Sequence, residues 1–305
     1  MQTLSLRLGT RRSPLAMAQA EEARDRLQAA HPGLVIELVP VTASGDRVLD
    51  RPLAEIGGKA LWTKELDAWL LAGEIDFAVH SAKDVETIRP QAIAMVAILP
   101  REDVRDVLVG ASSLAALPPG ARIGTSAPRR AAQLLNARPD CRIVTFRGNV
   151  ATRLAKLESG EADATLLAAA GLNRLGASQV GTPLAADEWL PAPGQGAIAI
   201  ECRADDAPTR GLLAAIDHAP SHATTLAERA LLAALGGNCH SPIAVLSGID
   251  GAELTMRAAI FAPDGSERVD ATARFPAFDA QGPALLARDL LARASPAIRV
   301  HFGGA

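Results

Sequence analysis

From residue 4 to about residue 203 the chain alternates short apolar runs with stretches of helical period, and the residues that follow each apolar run are repeatedly basic. That order points to an α/β fold, because strands separated by helices pair in parallel through crossover connections. Residues 4–8 alternate as a strand, and GTRRS leads into a helix over 14–30 with Ser13 as its N-cap and Pro14 at the first helical position. Arg11, Arg12 and Ser13 then stand at a helix N-terminus, where unpaired N–H groups and the positive end of the dipole favour an anion. Taken alone, the turn reads equally well as a solvated basic corner.

The pattern recurs. Residues 34–41 form a second strand, and TASGDRVLDRPLAEIGGKALWTKEL is a long glycine-containing loop that passes into an amphipathic helix ending near residue 72. A loop of that length is often a functional flap, and this one carries Lys59 and Trp62. IDFAV at 75–79 is a buried strand running into HSAKDV, which puts His80, Ser81, Lys83 and Asp84 at the edge where open α/β sheets bind ligands. After a strand at 93–98, LPREDVRDVLVG reads as a crossing into a second unit. There a strand at 121–124 ends in GTSAPRR before a helix over 128–137, a strand at 142–146 ends in RGN before a helix over 150–157, and a strand at 163–168 leads into AAAGLNRLG. Those exits carry Arg129 and Arg130, then Arg147, with Arg153 on the following helix, then Arg174. One basic turn says little; its recurrence across two α/β units argues for a shared anionic ligand.

WLPAPGQG is a loop dense in Pro and Gly, and AIAIECR at 197–203 is an interior strand that returns the chain to the first unit. From about residue 223 come a long helix, a glycine-containing loop, strands near 243–249, 253–261 and 267–275, and a helix over 282–294. The expected fold class is therefore two α/β domains plus a small C-terminal α+β domain, with boundaries at 1–98 plus 197–217, 103–192 and 220–305.

The 305 residues are 49% hydrophobic, enough for sizeable cores, and the net charge of −3 provides no general attraction for nucleic acid or an anionic membrane. Neither partner is expected; a small-molecule substrate and a monomeric protein are. Lys59, Lys64, Lys83 and Lys156 are the only lysines, and every other basic residue is arginine, the side chain that grips carboxylates bidentately. Genome composition accounts for most of that bias, but not for where the arginines cluster. The N-terminus lacks a signal-peptide run and no stretch reaches the roughly 18 apolar residues of a membrane span, so the cytoplasm is the expected compartment. Cys141, Cys202 and Cys239 are odd in number and lack ligand spacing, which makes disulfides and a metal site unexpected.

Cys239 stands apart in LGGNCHSPI. Gly236 and Gly237 are expected to supply the positive φ of a helix C-cap, and Pro242 stops the helix from resuming, so the thiol sits on a tight loop. A cysteine on a loop is only somewhat more often reactive than inert, and the adjacent His240 makes a poor partner because neighbouring loop residues point apart. The sequence has no GxGxxG, Walker loop, HExxH or GxSxG. Asp84 could be a helix N-cap. Set among cations meant for an anionic ligand, however, a carboxylate is tolerable mainly if it performs chemistry, such as donating a proton or stabilising a cation.

GTRRSPLAMAQA, GGKALWTKEL, AVHSAKDV, FRGNVATRLAKL, AAAGLNRLG, APGQGAIAIECR and GGNCHSPI, in this order and over nearly the whole length, closely resemble the porphobilinogen deaminases, or hydroxymethylbilane synthases. The resemblance implies three domains, the first two like type II periplasmic binding proteins, and a third with a cysteine thioether-linked to a dipyrromethane cofactor. It implies that four porphobilinogens are joined head to tail on that cofactor with loss of ammonia, and that water then releases hydroxymethylbilane. Each pyrrole carries an acetate and a propionate, so the growing chain is a polyanion. By the match, Cys239 attaches the cofactor and Asp84 is the catalytic aspartate that assists loss of ammonia and stabilises the resulting cation. Arg11, Ser13, Lys83, Arg129, Arg130, Arg147, Arg153 and Arg174 fall on carboxylate-binding positions. Ser81, Thr125 and Ser126 are hydrogen-bond partners, and Lys59 and Trp62 belong to a mobile flap.

The chain departs from the family pattern at Trp62, where relatives usually have Phe, and at Ala127 and Pro128, which weaken Ser126 as a ligand by removing a hydroxyl and an N–H. Asn238 and His240 replace a more usual Gly and Gln; Asn tolerates the left-handed region, so the turn is expected to survive. Two rival classes remain, an anion-binding module without chemistry and a generic thiol enzyme. Only the deaminase reading requires a covalent adduct on Cys239.

Overall fold

The computed structural model describes residues 4–41 and 63–303. In chain order the elements are β1 (Ser5–Arg11), α1 (Pro14–Ala30), β2 (Val35–Val41), α2 (Lys64–Leu71), β3 (Phe77–Ser81), β4 (Ile93–Ile98), β5 (Asp106–Val109), β6 (Arg122–Gly124), α3 (Pro128–Ala137), β7 (Arg142–Val144), α4 (Val150–Glu158), β8 (Ala164–Ala168), α5 (Ala169–Arg174), β9 (Thr182–Pro183), β10 (Ile198–Arg203), α6 (Ala207–Leu213), α7 (Ala219–Ala234), β11 (Ile243–Asp250), β12 (Glu253–Phe261), β13 (Arg268–Pro276), α8 (Gly282–Arg293) and α9 (Pro296–Arg299). Two compact units result, one ending at Glu102 and resuming over Gly196–His222, the other formed by Asp103–Gln195 together with the chain from Ala223 onward.

The first unit is built on a five-stranded sheet of order β2-β1-β3-β10-β4, in which β1 runs parallel to β2 and β3 while β10 is antiparallel to both β3 and β4. Its inner strands are apolar almost without alternation because both faces are covered; FAVHS and IAIECR each expose only their last residue to any extent. Helix α1 begins where Ser13 accepts the N–H of Ala16, an N-cap contributing about 1 kcal/mol. It buries Ala16, Ala20, Ala23 and Leu27, a stripe at four-, three- and four-residue spacing that packs on the strand core of Leu6, Leu8, Phe77 and Val79.

The second unit repeats the plan in the order β7-β6-β8-β5-β9, with β6 parallel to β7 and β8, and β5 antiparallel to β8 and β9. In each sheet the antiparallel fourth strand is the one that begins just after the chain has passed from the other unit. The crossing segment LPREDVRDVLVG is thus partly a strand, β5, which the reading of the sequence did not contain. The same unit holds the three-stranded antiparallel sheet β11-β12-β13. One face of this sheet buries Val245, Met256 and Ile260 against Leu231 of α7, Leu235 just past its end, and Leu286 and Leu290 of α8, and Ala244, Ala259 and Phe261 cluster with Ala132 of α3. Gly265, at φ +73, lies so close to this helix that a Cβ would fall 2.4 Å from the Asn136 nitrogen, and its carbonyl accepts the Asn136 amide at 2.9 Å. The fold class is the expected one, two α/β domains and a smaller C-terminal α+β domain. Among the described residues no helix is long and apolar enough to cross a membrane.

Candidate functional site

In the first unit, β3 keeps the expected five-residue length but is shifted toward the C-terminus, so that it takes in His80 and Ser81, after which Ala82–Asp84 make a single 3-10 turn. The turn is tied down by the Ala82 N–H, which donates to the Ala197 carbonyl at 3.0 Å. Asp84 is the last residue of that turn, so it does not cap a helix as the plainer reading allowed. Its carboxylate lines a small pocket with Arg11, Gln19, Thr63, His80 and Ser81. Arg11 ends β1, Ser13 caps α1, and the Ser81 hydroxyl and Gln19 amide are hydrogen-bonded to each other at 2.8 Å. Lys83 lies within the same turn as Asp84. The flap residues Lys59 and Trp62 lie outside the described residues.

Joined to this pocket through His80 is a charge cluster that sequence reasoning missed. The Arg89 guanidinium donates to Glu201 at 2.9 and 2.7 Å and to Asp67 at 2.9 and 2.6 Å, so one cation bridges two carboxylates. Glu201 is fully buried on β10, and the His80 Nε2 stands 3.6 Å from its Oε2, beyond hydrogen-bond reach. Burial, reinforced by the Arg89 charge, lowers His80 to about 4, which leaves its ring neutral at physiological pH. Burial opposes the charge on Arg89 as well, but its bonds to Asp67 and Glu201 prevail and hold it protonated. The available signal was a glutamate inside the apolar run AIAIECR, which had to find a cation once the strand proved interior.

In the second unit Arg129 and Arg130 lie inside the fold. Both guanidinium groups are buried, and both are already paired with the fully buried Asp106 of β5: Arg129 Nη2 at 2.7 Å and Arg130 Nη2 at 2.7 Å. Trp189 Nε1 and Gln195 Nε2 donate to the same carboxylate at 2.8 and 2.9 Å. Burial alone would raise the Asp106 carboxyl, but the two arginines overcome it and hold the group well below the usual carboxylate range. Arg129 also donates to the Leu190 carbonyl and Arg130 to the Leu166 carbonyl, each through Nη1. Two cations against one anion leave a single positive charge, and Arg130 Nε is buried without a hydrogen-bond partner. The pair can therefore still take part of an anion, with less capacity than two open arginines.

Of the other predicted groups, Arg147 is buried beyond the end of β7, Arg174 ends α5, and Arg153 on α4 donates through Nε to the Gly148 carbonyl at 3.0 Å. Asn149 caps α4 by accepting the Thr152 N–H. Thr125 is buried and accepts the Ala127 N–H at 3.2 Å, Ser126 is half-buried, and α3 starts at Pro128 with no side-chain cap from Ala127.

The thiol loop is more specific than a glycine pair. Helix α7 closes with Gly237 N–H donating to Leu232 O and Gly236 N–H to Ala233 O, the paired bonds of a Schellman cap. Of the two glycines only Gly236, at φ +65, has the positive φ expected of both. At Gly237 the constraint is space instead: a Cβ there would meet the Leu232 Cδ1 at 2.7 Å, so that side chain would have to move. The Asn238 side chain accepts the His240 N–H at 2.9 Å and the Ser241 hydroxyl accepts the Asn238 N–H at 3.0 Å, so Asn238 serves by its amide oxygen and not by a left-handed backbone. This turn holds Cys239 exposed, whereas Cys141 and Cys202 are buried. Burial pushes both of those thiols up, Cys202 to about 11.

An exposed thiol on a braced turn, an aspartate in a small pocket and arginines at repeated strand exits are the candidate site of an enzyme built of two α/β domains and a smaller α+β domain. The model of the porphobilinogen deaminase dipyromethane cofactor binding domain matches residues 6–211, and that of the porphobilinogen deaminase C-terminal domain matches residues 222–292. A porphobilinogen deaminase of Sphingopyxis alaskensis is 58% identical over 307 residues, covering 97% of this chain and 96% of the relative. One of Paracoccus denitrificans is 52% identical over 298 residues, covering 95% and 94%. The chain belongs to the porphobilinogen deaminase family.

Proposed function

We propose that the chain builds hydroxymethylbilane for tetrapyrrole and heme biosynthesis. Four porphobilinogens are joined head to tail with loss of ammonia, and water releases the product. Family membership over both domain models carries this reading. The residues suit the dipyrromethane that the first of those models names: one thiol is exposed on a turn braced from both sides, and the second unit keeps a net positive buried arginine pair with an unpaired Nε. Cys239 is the attachment point, its thiolate forming the thioether once. Bound there, the dipyrromethane would supply the nucleophilic pyrrole end onto which the first unit is joined.

Within the second unit, Arg147, Arg153 and Arg174 hold carboxylates by charge-assisted hydrogen bonds, with Arg129 and Arg130 contributing the charge that Asp106 leaves over. Thr125 serves mainly to shape that turn, since its hydroxyl oxygen accepts the Ala127 N–H, and Ser126 is the freer donor. In the first unit, Arg11, Ser13 and Lys83 orient the substrate's acetate and propionate. Asp84 assists departure of ammonia and stabilises the positive charge that develops on the substrate as it leaves. Lys59 and Trp62 form the covering flap. The protein works as a monomer in the cytoplasm, with domain boundaries at 1–98 plus 197–217, 103–192 and 220–305.

The intact mass of the purified protein tests this reading. It should exceed the sequence mass by a two-pyrrole adduct that Cys239→Ser lacks, and the protein should consume porphobilinogen. An unmodified mass together with no consumption overturns it.

A further inference from the structure

The Arg89 cluster adjoins the pocket that carries Asp84 through His80, and among the described residues its charges do not balance. Asp67 and Glu201 bring two negative charges, Arg89 one positive, and Glu86 approaches the same guanidinium at 3.7 Å. His80, next to Glu201, is the remaining basic group of the cluster, the one that would become a cation by taking up a proton. The groups acting on its ring are Glu201 on β10, Asp67 on α2, Arg11 at the end of β1, and Asp84 and Arg89 in the segment after β3. Asp67 and Asp84 favour a proton on the ring, while burial, Arg89 and Arg11 oppose it. The interaction with Asp84 is mutual. A protonated His80 would draw on the negative charge of Asp84, which is the charge a cationic substrate needs.

We propose that Arg89 is a positioning residue for the reaction: by occupying Glu201 and Asp67 together it keeps His80 a neutral wall of the Asp84 pocket, so that the charge of Asp84 is left for the substrate. The proposal rests on the reading of Asp84 as the catalytic aspartate that stabilises a cationic substrate. Geometry supports it independently of that reading. The guanidinium satisfies both Glu201 oxygens, at 2.9 and 2.7 Å, and the imidazole, at 3.6 Å, is held just outside hydrogen-bond range of the same carboxylate. With the arginine removed, the buried Glu201 has no cation, and the nearest group able to become one is His80.

The test is the pH dependence of kcat in Arg89→Gln, read beside the protonation of the His80 ring by NMR in the same holoenzyme, with His80→Asn identifying its signal. In the parent enzyme His80 should stay neutral down to about pH 5. In Arg89→Gln it should titrate near 7, and kcat at pH 6 should fall about tenfold below its value at pH 8, as one unit of protonation requires. Adding His80→Asn to Arg89→Gln should abolish this limb, and Arg89→Lys, which keeps a cation, should not show it. A ring that stays neutral in Arg89→Gln, or a kcat profile unchanged while the ring titrates, overturns the proposal. Should Arg89→Gln fold poorly, an Arg89→Lys enzyme whose His80 titrates near neutrality overturns it as well. Retained turnover in Asp84→Asn would instead remove the reading of Asp84, whatever Arg89 does to His80.

Discussion

The two α/β sheets share a strand order and place a fully buried carboxylate on the same strand, the antiparallel fourth one: Glu201 on β10 and Asp106 on β5. What surrounds those carboxylates is opposite. In the first unit one arginine serves two acids, Asp67 and Glu201, and a negative charge is left over. In the second unit one acid serves two arginines, Arg129 and Arg130, and a positive charge is left over. One scaffold thus carries opposite residual charge, with the negative side in the unit of Asp84 and the positive side in the unit of Arg147, Arg153 and Arg174. A polyanionic chain that passes through a cationic stage needs both.

The comparison breaks first at Asp84. Asp84→Asn removes the charge at the pocket without disturbing a helix cap, so turnover should fall by about 10²- to 10⁴-fold while the thermal midpoint barely moves. A midpoint that drops with turnover would make Asp84 structural. Next in size is Asp106→Asn, which leaves two buried guanidinium groups without a carboxylate and should cost about 3–5 kcal/mol. Urea unfolding followed by Trp189 fluorescence would register that loss in the second unit. An unchanged midpoint would mean that the arginines are not held by Asp106.

The two clusters should also fail at different acidity. His80 is lowered to about 4 in the folded chain, so the unfolded chain binds the extra proton below about pH 6.5. Stability should therefore decline as pH falls from about 6.5 to about 4, by on the order of 3 kcal/mol, and His80→Asn should flatten that slope. The depressed Asp106 works in the lower window: its contribution is complete above about pH 4, the unfolded value, and is lost as pH falls below that. Urea midpoints from pH 8 to pH 3 on the parent and the two variants would separate the windows. A His80→Asn enzyme with the parent's slope would contradict the first. The smallest effect expected is at the thiol turn. Gly236→Ala forces a side chain to φ +65 and should cost about 1–2 kcal/mol, lowering the fraction of protein that carries the adduct by mass spectrometry.

Much of the site was legible because its signals are local. The Ser13 cap with Pro14, the helix at 128–137, the strand leading to Asp84 and the helix stop before Cys239 each depend on residues within a few positions of one another, and the structure reproduces the bounds of α1 and α3. The Cys239 loop was readable as a turn but not in its workings. Whether a glycine is there for φ or for space depends on where Leu232 points, and Asn238 could be assigned only once its acceptor was seen.

The sequence by itself revealed most of the strands and helices and the basic exits, and it singled out Cys239 and Asp84 as candidates, because period, caps and motifs act over short separations. Only the tertiary structure decided which charges are available. Asp106 meets Arg129 and Arg130 across 23 and 24 positions and Gln195 across 89, and Arg89 meets Glu201 across 112. A buried charge must find a partner wherever the fold brings one, so Arg129 and Arg130, which read along the chain as open strand-exit cations, are held by an acid of their own.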